Sequence, residues 1–140
     1  MIDLSTARKK MDLALKVITV QLLRDSGFKG KYPHFYRIKK ESIELLSFQF
    51  NKWGGSFVVE ISYTDNQHKN LYSYTNKLPS ELRVSQTIER LRLGPKVKGD
   101  YWFRFDNINL LFWNNKYNAI AEKVNYYITT EAETWWENKS

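Results

Sequence analysis

The chain has 140 residues, 42% hydrophobic and 26% charged, with six glycines and three prolines, the make-up of one folded domain around one core. It contains no cysteine, which excludes disulfides, thiol nucleophiles and cysteine-ligated zinc and suits a reducing compartment. Lysine and arginine number 22 against 15 acidic residues, a net charge of +7 that favours acidic proteins, nucleic acid or anionic lipid as partners.

No stretch of about eighteen apolar residues exists to cross a membrane, and no basic stretch leads into an apolar signal core. Met1 therefore reads as a native start, and a cytoplasmic location with no membrane partner is expected. From Leu4 to Arg24, Leu4, Ala7, Met11, Ala14, Leu15, Ile18 and Leu22 recur at helical spacing, with Arg8, Lys9, Lys10 and Lys16 on the outer face. Asp3 or Ser5 can cap this helix, and Asp25-Ser26-Gly27 ends it, so that Phe28 folds back onto the last turn.

Three alternating segments follow, at Phe35 to Lys39, Ile43 to Lys52 and Ser56 to Thr64, and predict an antiparallel meander. In the second, Leu46, Phe48 and Phe50 point to the core. In the third, Phe57, Val59, Ile61 and Tyr63 point inward and Val58, Glu60, Ser62 and Thr64 outward. Trp53-Gly54-Gly55-Ser56 makes the tight connection between these two strands.

Asp65 to Glu81, with Asn66, Gln67, His68, Asn70, Asn76 and Pro79, predicts a long polar surface excursion and a candidate contact surface. Val84 to Leu93 alternates in part, Gly94 to Asp100 is a basic turn, and Tyr101 to Phe105 is a short aromatic strand. Ile108 to Trp113 fits a strand or a helix start equally. From Lys116 to about Thr130, Tyr117, Ile120, Ala121, Val124, Tyr127 and Ile128 form a second amphipathic stripe, continued by a turn or two bearing Trp135 and Trp136. The fold class is α+β: one domain over residues 1–140, an antiparallel sheet of about five strands packed against an N-terminal and a C-terminal helix.

The residues offer little chemistry. His34 and His68 are the only histidines and belong to no two-histidine motif, so no metal site and no cofactor is expected. No serine sits in a glycine-flanked strand-to-helix elbow, and Gly27-Phe28-Lys29-Gly30 leads to a strand instead of a phosphate-binding helix. Glu41, Glu44 and Glu60 on neighbouring strands are more readily sheet-face ion-pair partners than a catalytic pair. The chain is therefore expected to bind and not to catalyse.

Lys29, Lys31, Arg37, Lys39 and Lys40 mingle with Phe28, Tyr32, Phe35 and Tyr36, as in a groove for single-stranded nucleic acid, and Arg83, Arg90, Arg92, Lys96 and Lys98 form a second basic group. No RNA-recognition or helix-turn-helix motif accompanies them.

Arg90-Leu91-Arg92-Leu93-Gly94, followed by Asp100-Tyr101-Trp102, resembles the signature of the bacterial domain-of-unknown-function family number 4304. Gly27-Phe28 after the first helix and Phe35-Tyr36-Arg37 in the next strand are similar to the same family, over roughly residues 10 to 130. Tyr101-Trp102 stands where a double Trp is common. The resemblance implies no enzymatic activity. It does imply an immunity protein, since such domains occur beside polymorphic or contact-dependent toxin genes, which would neutralise a cognate toxin by occluding it. Candidate anchors for such a partner are Trp53, Tyr72, Tyr74, Arg90, Arg92, Trp135 and Trp136. The +7 charge points to a toxin with an acidic surface, and single-stranded nucleic-acid binding remains the alternative.

Overall fold

The computed structural model describes residues 4–65, 67, 69–73, 75–106 and 113–139. The sequence expectations at Asn66, His68, Tyr74 and residues 107–112 lie outside them.

The N-terminal helical rod runs through α1 (Leu4–Ala14), a π turn (Leu15–Thr19) and α2 (Val20–Asp25). Its end is a glycine-terminated cap: Gly27, at φ 93°, donates its N–H to Arg24 O at 3.1 Å, and Phe28 donates to Leu23 O at 2.8 Å. This buries the Phe28 ring under the helix, as the sequence predicts.

Six strands follow: β1 (Lys29–Lys31), β2 (His34–Ile38), β3 (Ser42–Phe50), β4 (Ser56–Asp65), β5 (Arg90–Arg92) and β6 (Phe103–Arg104). They pair antiparallel in the order β1-β2-β3-β4-β5, and β6 also pairs with β4. A second rod returns through α3 (Trp113–Tyr127), a π turn (Ile128–Ala132) and α4 (Glu133–Glu137). The predicted α+β architecture is the one observed. Both rods cover one face of the sheet, where Phe35, Leu46, Phe48, Phe57, Val59, Ile61, Leu93 and Phe103 form a single core with them.

The π turns explain why the buried stripes depart from the simple helical period. Each inserts a wider turn that holds a four-residue step on one line. The buried residues of the first rod therefore run Met11, Leu15, Thr19, Leu23, and the predicted Leu22 is only half-buried. Those of the second run Tyr117, Ala121, Val124, Ile128, Ala132, Trp136. The two rods meet at the first π turn, where Thr19 Oγ1 donates to Ala121 O at 3.2 Å and Asn125 Nδ2 donates to Ile18 O at 3.3 Å. A π turn leaves carbonyls without a regular helical donor, and here the neighbouring helix supplies one.

The opposite sheet face corrects the sequence reading. Val58, Glu60, Ser62 and Thr64, expected outside, are buried, and so are Leu45 and Ser47. The polar excursion after β4 folds back across this face. Leu82 and Val84 pack on Leu45, Leu71 bridges to Thr87, and the Ser62 hydroxyl donates to that of Thr87. Buried Asn70 staples the return: its Nδ2 donates to Tyr63 O at 2.8 Å and Glu89 O at 3.1 Å, while Glu89 N–H donates to Asn70 Oδ1 at 2.8 Å. The predicted strand from Val84 thus shortens to β5, because Val84–Gln86 turns as a 3-10 helix to reach this network.

Candidate partner-binding surface

Trp53 crowns the β3–β4 hairpin, and the local sequence fixes the shape of that tip. Asn51 organises it: Trp53 N–H donates to Asn51 Oδ1 at 2.8 Å, Gly54 N–H donates to Asn51 O at 2.9 Å, and Asn51 N–H donates to Ser56 O at 2.9 Å. Gly55 adopts φ 82°, and its carbonyl accepts from Phe105 N–H at 2.9 Å and Asp106 N–H at 3.2 Å. A Cβ at Gly55 would stand 2.7 Å from the Asp106 side chain, so the tip is pressed against the chain after β6.

Beneath the tip lies a packed aromatic base. Phe50 and Phe57 have centroids 5.1 Å apart, Phe57 stacks on Phe103 at 5.3 Å, and Arg8 of α1 sits 3.5 Å above the Phe50 ring. Trp53 itself is 78% exposed, with the Lys52 ammonium 5.0 Å from its ring. A rigid base thus holds a large apolar side chain out in water. Such a side chain gains by moving into a partner's pocket and loses little entropy in doing so.

Arg90 and Arg92 project from β5, yet they are not free cations. Both reach Glu60, a buried carboxylate on β4: Arg92 Nε at 3.1 Å from Oε2 and Arg90 Nη1 at 3.6 Å from Oε1. Arg92 also bonds Asp100 at 2.8 Å and lies 5.9 Å from the Trp102 ring. Glu131 of the second rod holds the adjoining turn by pairing with Lys96 and accepting from Gly94 N–H at 2.9 Å. The sequence suggests Glu60 as a sheet-face ion-pair partner but does not name its mates, nor Asp100 and Glu131 as anchors of this edge. The register Glu60 opposite Arg92 is the signal that identifies the mate.

Tyr72 is 66% exposed on the polar excursion, near the Asp65 end of β4. Trp135 is half-buried against Tyr63 at 5.8 Å, with Lys139 at 5.0 Å over its ring. Glu89 joins this group, its carboxylate held below the usual range by hydrogen bonds from Lys139 and Tyr63. Trp136 belongs to the core: it is 2% exposed and donates its indole N–H to Ser62 O at 2.9 Å. The four-residue step of the second π turn carries it inward, so it cannot present a face to a partner. The candidate anchors are therefore not one patch. Trp53 stands on the β3–β4 hairpin, whereas Tyr72 stands on the polar excursion, its N–H donating to Gln86 O at 3.0 Å.

A cleft of about 610 Å³ lies beside the end of the second rod and is lined by Arg37, Lys39, Glu44, Tyr63, Glu133 and Lys139 among others. Arg37 closes its floor. Its Nε donates to Glu44 at 2.7 Å, its Nη1 to Ser26 O and its Nη2 to Glu133, and its guanidinium lies 4.5 Å from the Phe28 ring and 5.2 Å from that of Trp136. Burial alone would lower the Arg37 pKa, but the bonds to Glu133 and Glu44 overcome it and hold the group above its ordinary value.

The aromatic-basic segment that suggested nucleic acid separates in the fold. Phe28 and Phe35 are core, Tyr32 donates to Asp12 at 2.8 Å, and Lys29, Lys31, Lys39 and Lys40 face outward. No helix among the described residues is long and apolar enough to cross a membrane. Among them, likewise, no group of three or more histidine or acidic side chains is placed to hold a metal ion.

A two-rod α+β domain with a meander sheet and a glycine-hinged edge turn is thus the class of protein in hand. The chain belongs to the family described as Domain of unknown function (DUF4304), whose model matches residues 19–138. No curated protein and no solved structure matches it.

Proposed function

We propose that this chain is a non-catalytic bacterial immunity protein that neutralises a cognate toxin in the cytoplasm by occluding it. The observation that carries the reading is Trp53, an almost fully exposed indole on a hairpin tip whose backbone is fixed from both sides. A monomer gains nothing from such a residue, and a binding surface gains an anchor.

The charge supports an acidic contact on the toxin. Lysines ring the sheet edge and the first rod, so attraction would speed encounter while the indole slows release. The nucleic-acid alternative keeps the exposed lysines of the 28–40 segment but loses two of its rings, since Phe28 and Phe35 point into the core.

The test is a pairing of the full chain with the toxin domain encoded beside its gene. Co-expression should restore growth, and Trp53→Ala should abolish that rescue while leaving the protein folded. Rescue by Trp53→Ala at wild-type level would remove the hairpin from the mechanism. Retention of single-stranded RNA or DNA at physiological salt with micromolar affinity would favour the alternative.

A further inference from the structure

A groove of about 250 Å³ runs between α1 and α3, lined by Lys10, Leu13, Ala14, Val17, Tyr117 and Asn118. Leu13 and Val17 stand one turn apart on its lip, and each is 63% exposed. They lie off the buried line Met11–Leu15–Thr19, so packing of the domain does not account for them. Its floor is Tyr117, only 3% exposed, whose hydroxyl has no hydrogen-bond partner among the described residues. Burial raises the Tyr117 pKa, so the hydroxyl keeps its proton and remains a donor with no acceptor among those residues.

Lysines stand on the first-rod side of the groove. Lys10 lines it, and Lys9 beside it is also one turn before Leu13. The acid of this stretch, Asp12, is turned away and held by Arg8 at 3.1 Å and Tyr32 at 2.8 Å. On the facing helix Lys116 precedes Tyr117, and Glu122 follows a turn later.

We infer that this groove is a second docking surface, which receives an acidic amphipathic helix of a partner protein. Apolar side chains of that helix fill the space between Leu13, Val17 and Tyr117, its carboxylates meet Lys9 and Lys10, and a carbonyl or carboxylate oxygen accepts from Tyr117. A second copy of this chain is the poorer occupant, because it would bring the same lysines face to face. The surface stands apart from the Trp53 tip, and its use does not depend on the tip's role.

The probe is a synthetic helical peptide with a leucine stripe flanked by glutamates, titrated into the full chain and followed by calorimetry and amide chemical shifts. Saturable binding is expected, with shifts centred on Leu13, Val17 and Tyr117. Leu13→Glu and Val17→Glu, at exposed positions, should each weaken it by at least about tenfold, as should exchanging the peptide's glutamates for lysines. Tyr117→Phe, which removes the lone hydroxyl and keeps the ring, should weaken binding severalfold without lowering the thermal midpoint.

Equal binding of a scrambled peptide, or unchanged affinity in Leu13→Glu, would overturn the inference. So would tighter, Leu13-dependent binding to anionic phosphatidylglycerol vesicles, which would make the occupant lipid. A dimer in sedimentation that Leu13→Glu dissolves would overturn it in favour of a second copy.

Discussion

Arg37 and Glu133, 96 residues apart, form a two-toothed ion pair: Nη2 donates to Oε1 at 2.5 Å and Nη1 to Oε2 at 3.0 Å. Through it the last helix is tied to β2, and through Glu44 and Ser26 O to β3 and the end of the first rod. One guanidinium thus joins β2 to three other parts of the fold.

Removing that guanidinium should be costly. Arg37→Ala strands the buried Glu44 carboxylate without its partner and should lower unfolding free energy by about 3–5 kcal/mol in urea. Arg37→Lys keeps a charge but loses the planar fork, and should recover only part of the loss. Arg37→Met combined with Glu44→Leu should cost less than Arg37→Ala alone, since the buried Glu44 charge goes with its partner and only the partly exposed Glu133 is left without Arg37.

The two tryptophans with opposite burial separate stability from binding. Trp136→Ala should destabilise by about 3–5 kcal/mol, because it empties a core site and frees Ser62 O from its donor. Trp53→Ala should shift stability by no more than about 0.5 kcal/mol while costing about 2 kcal/mol or more of partner affinity. Chemical denaturation and calorimetry on the same two variants check both halves.

Gly55→Ala probes the rigidity of the tip. A residue at φ 82° with its Cβ 2.7 Å from Asp106 is strained twice, by its backbone and by the contact. A loss of about 1–3 kcal/mol is expected, together with weaker partner binding even though Trp53 is intact. Amide exchange at Trp53 and Gly54 should rise in this variant.

His34 should make stability depend on pH near neutrality. Burial first, and the nearby Arg83 second, hold its pKa below the ordinary histidine value, and its Nδ1 is buried without a partner among the described residues. The unfolded chain then takes up the proton before the folded one does. The stabilising contribution is therefore complete above the unfolded pKa of about 6.5 and declines as pH falls from there toward the lowered folded value. His34→Gln should flatten this part of the stability-pH curve, as followed by thermal melts.

Much of the architecture was legible because period and punctuation agreed. Gly27-Phe28 gave the first helix its end, and alternation at Leu46, Phe48 and Phe50 gave the core face of β3. The second buried face was not legible, because Ser62 and Asn70 are polar and become interior through hydrogen bonds to residues 19 to 27 positions away. Trp136 was misplaced among surface anchors for a related reason: a π turn shifts the buried line, and composition does not announce one. At the candidate site, Trp53 was visible as an aromatic beside two glycines. The pairing of Arg90 and Arg92 with Glu60 needed the strand register. Leu13 and Val17 did carry a signal, being apolar residues left off the helical stripe.

The central claim is that the Trp53 tip anchors a protein partner. The most direct measurement is calorimetric titration of the product of the adjacent gene, the proposed partner, into the wild-type chain and into Trp53→Ala. A tight, saturable complex that weakens about thirtyfold or more in the variant is the expected result. No complex, or equal affinity for both proteins, would contradict it.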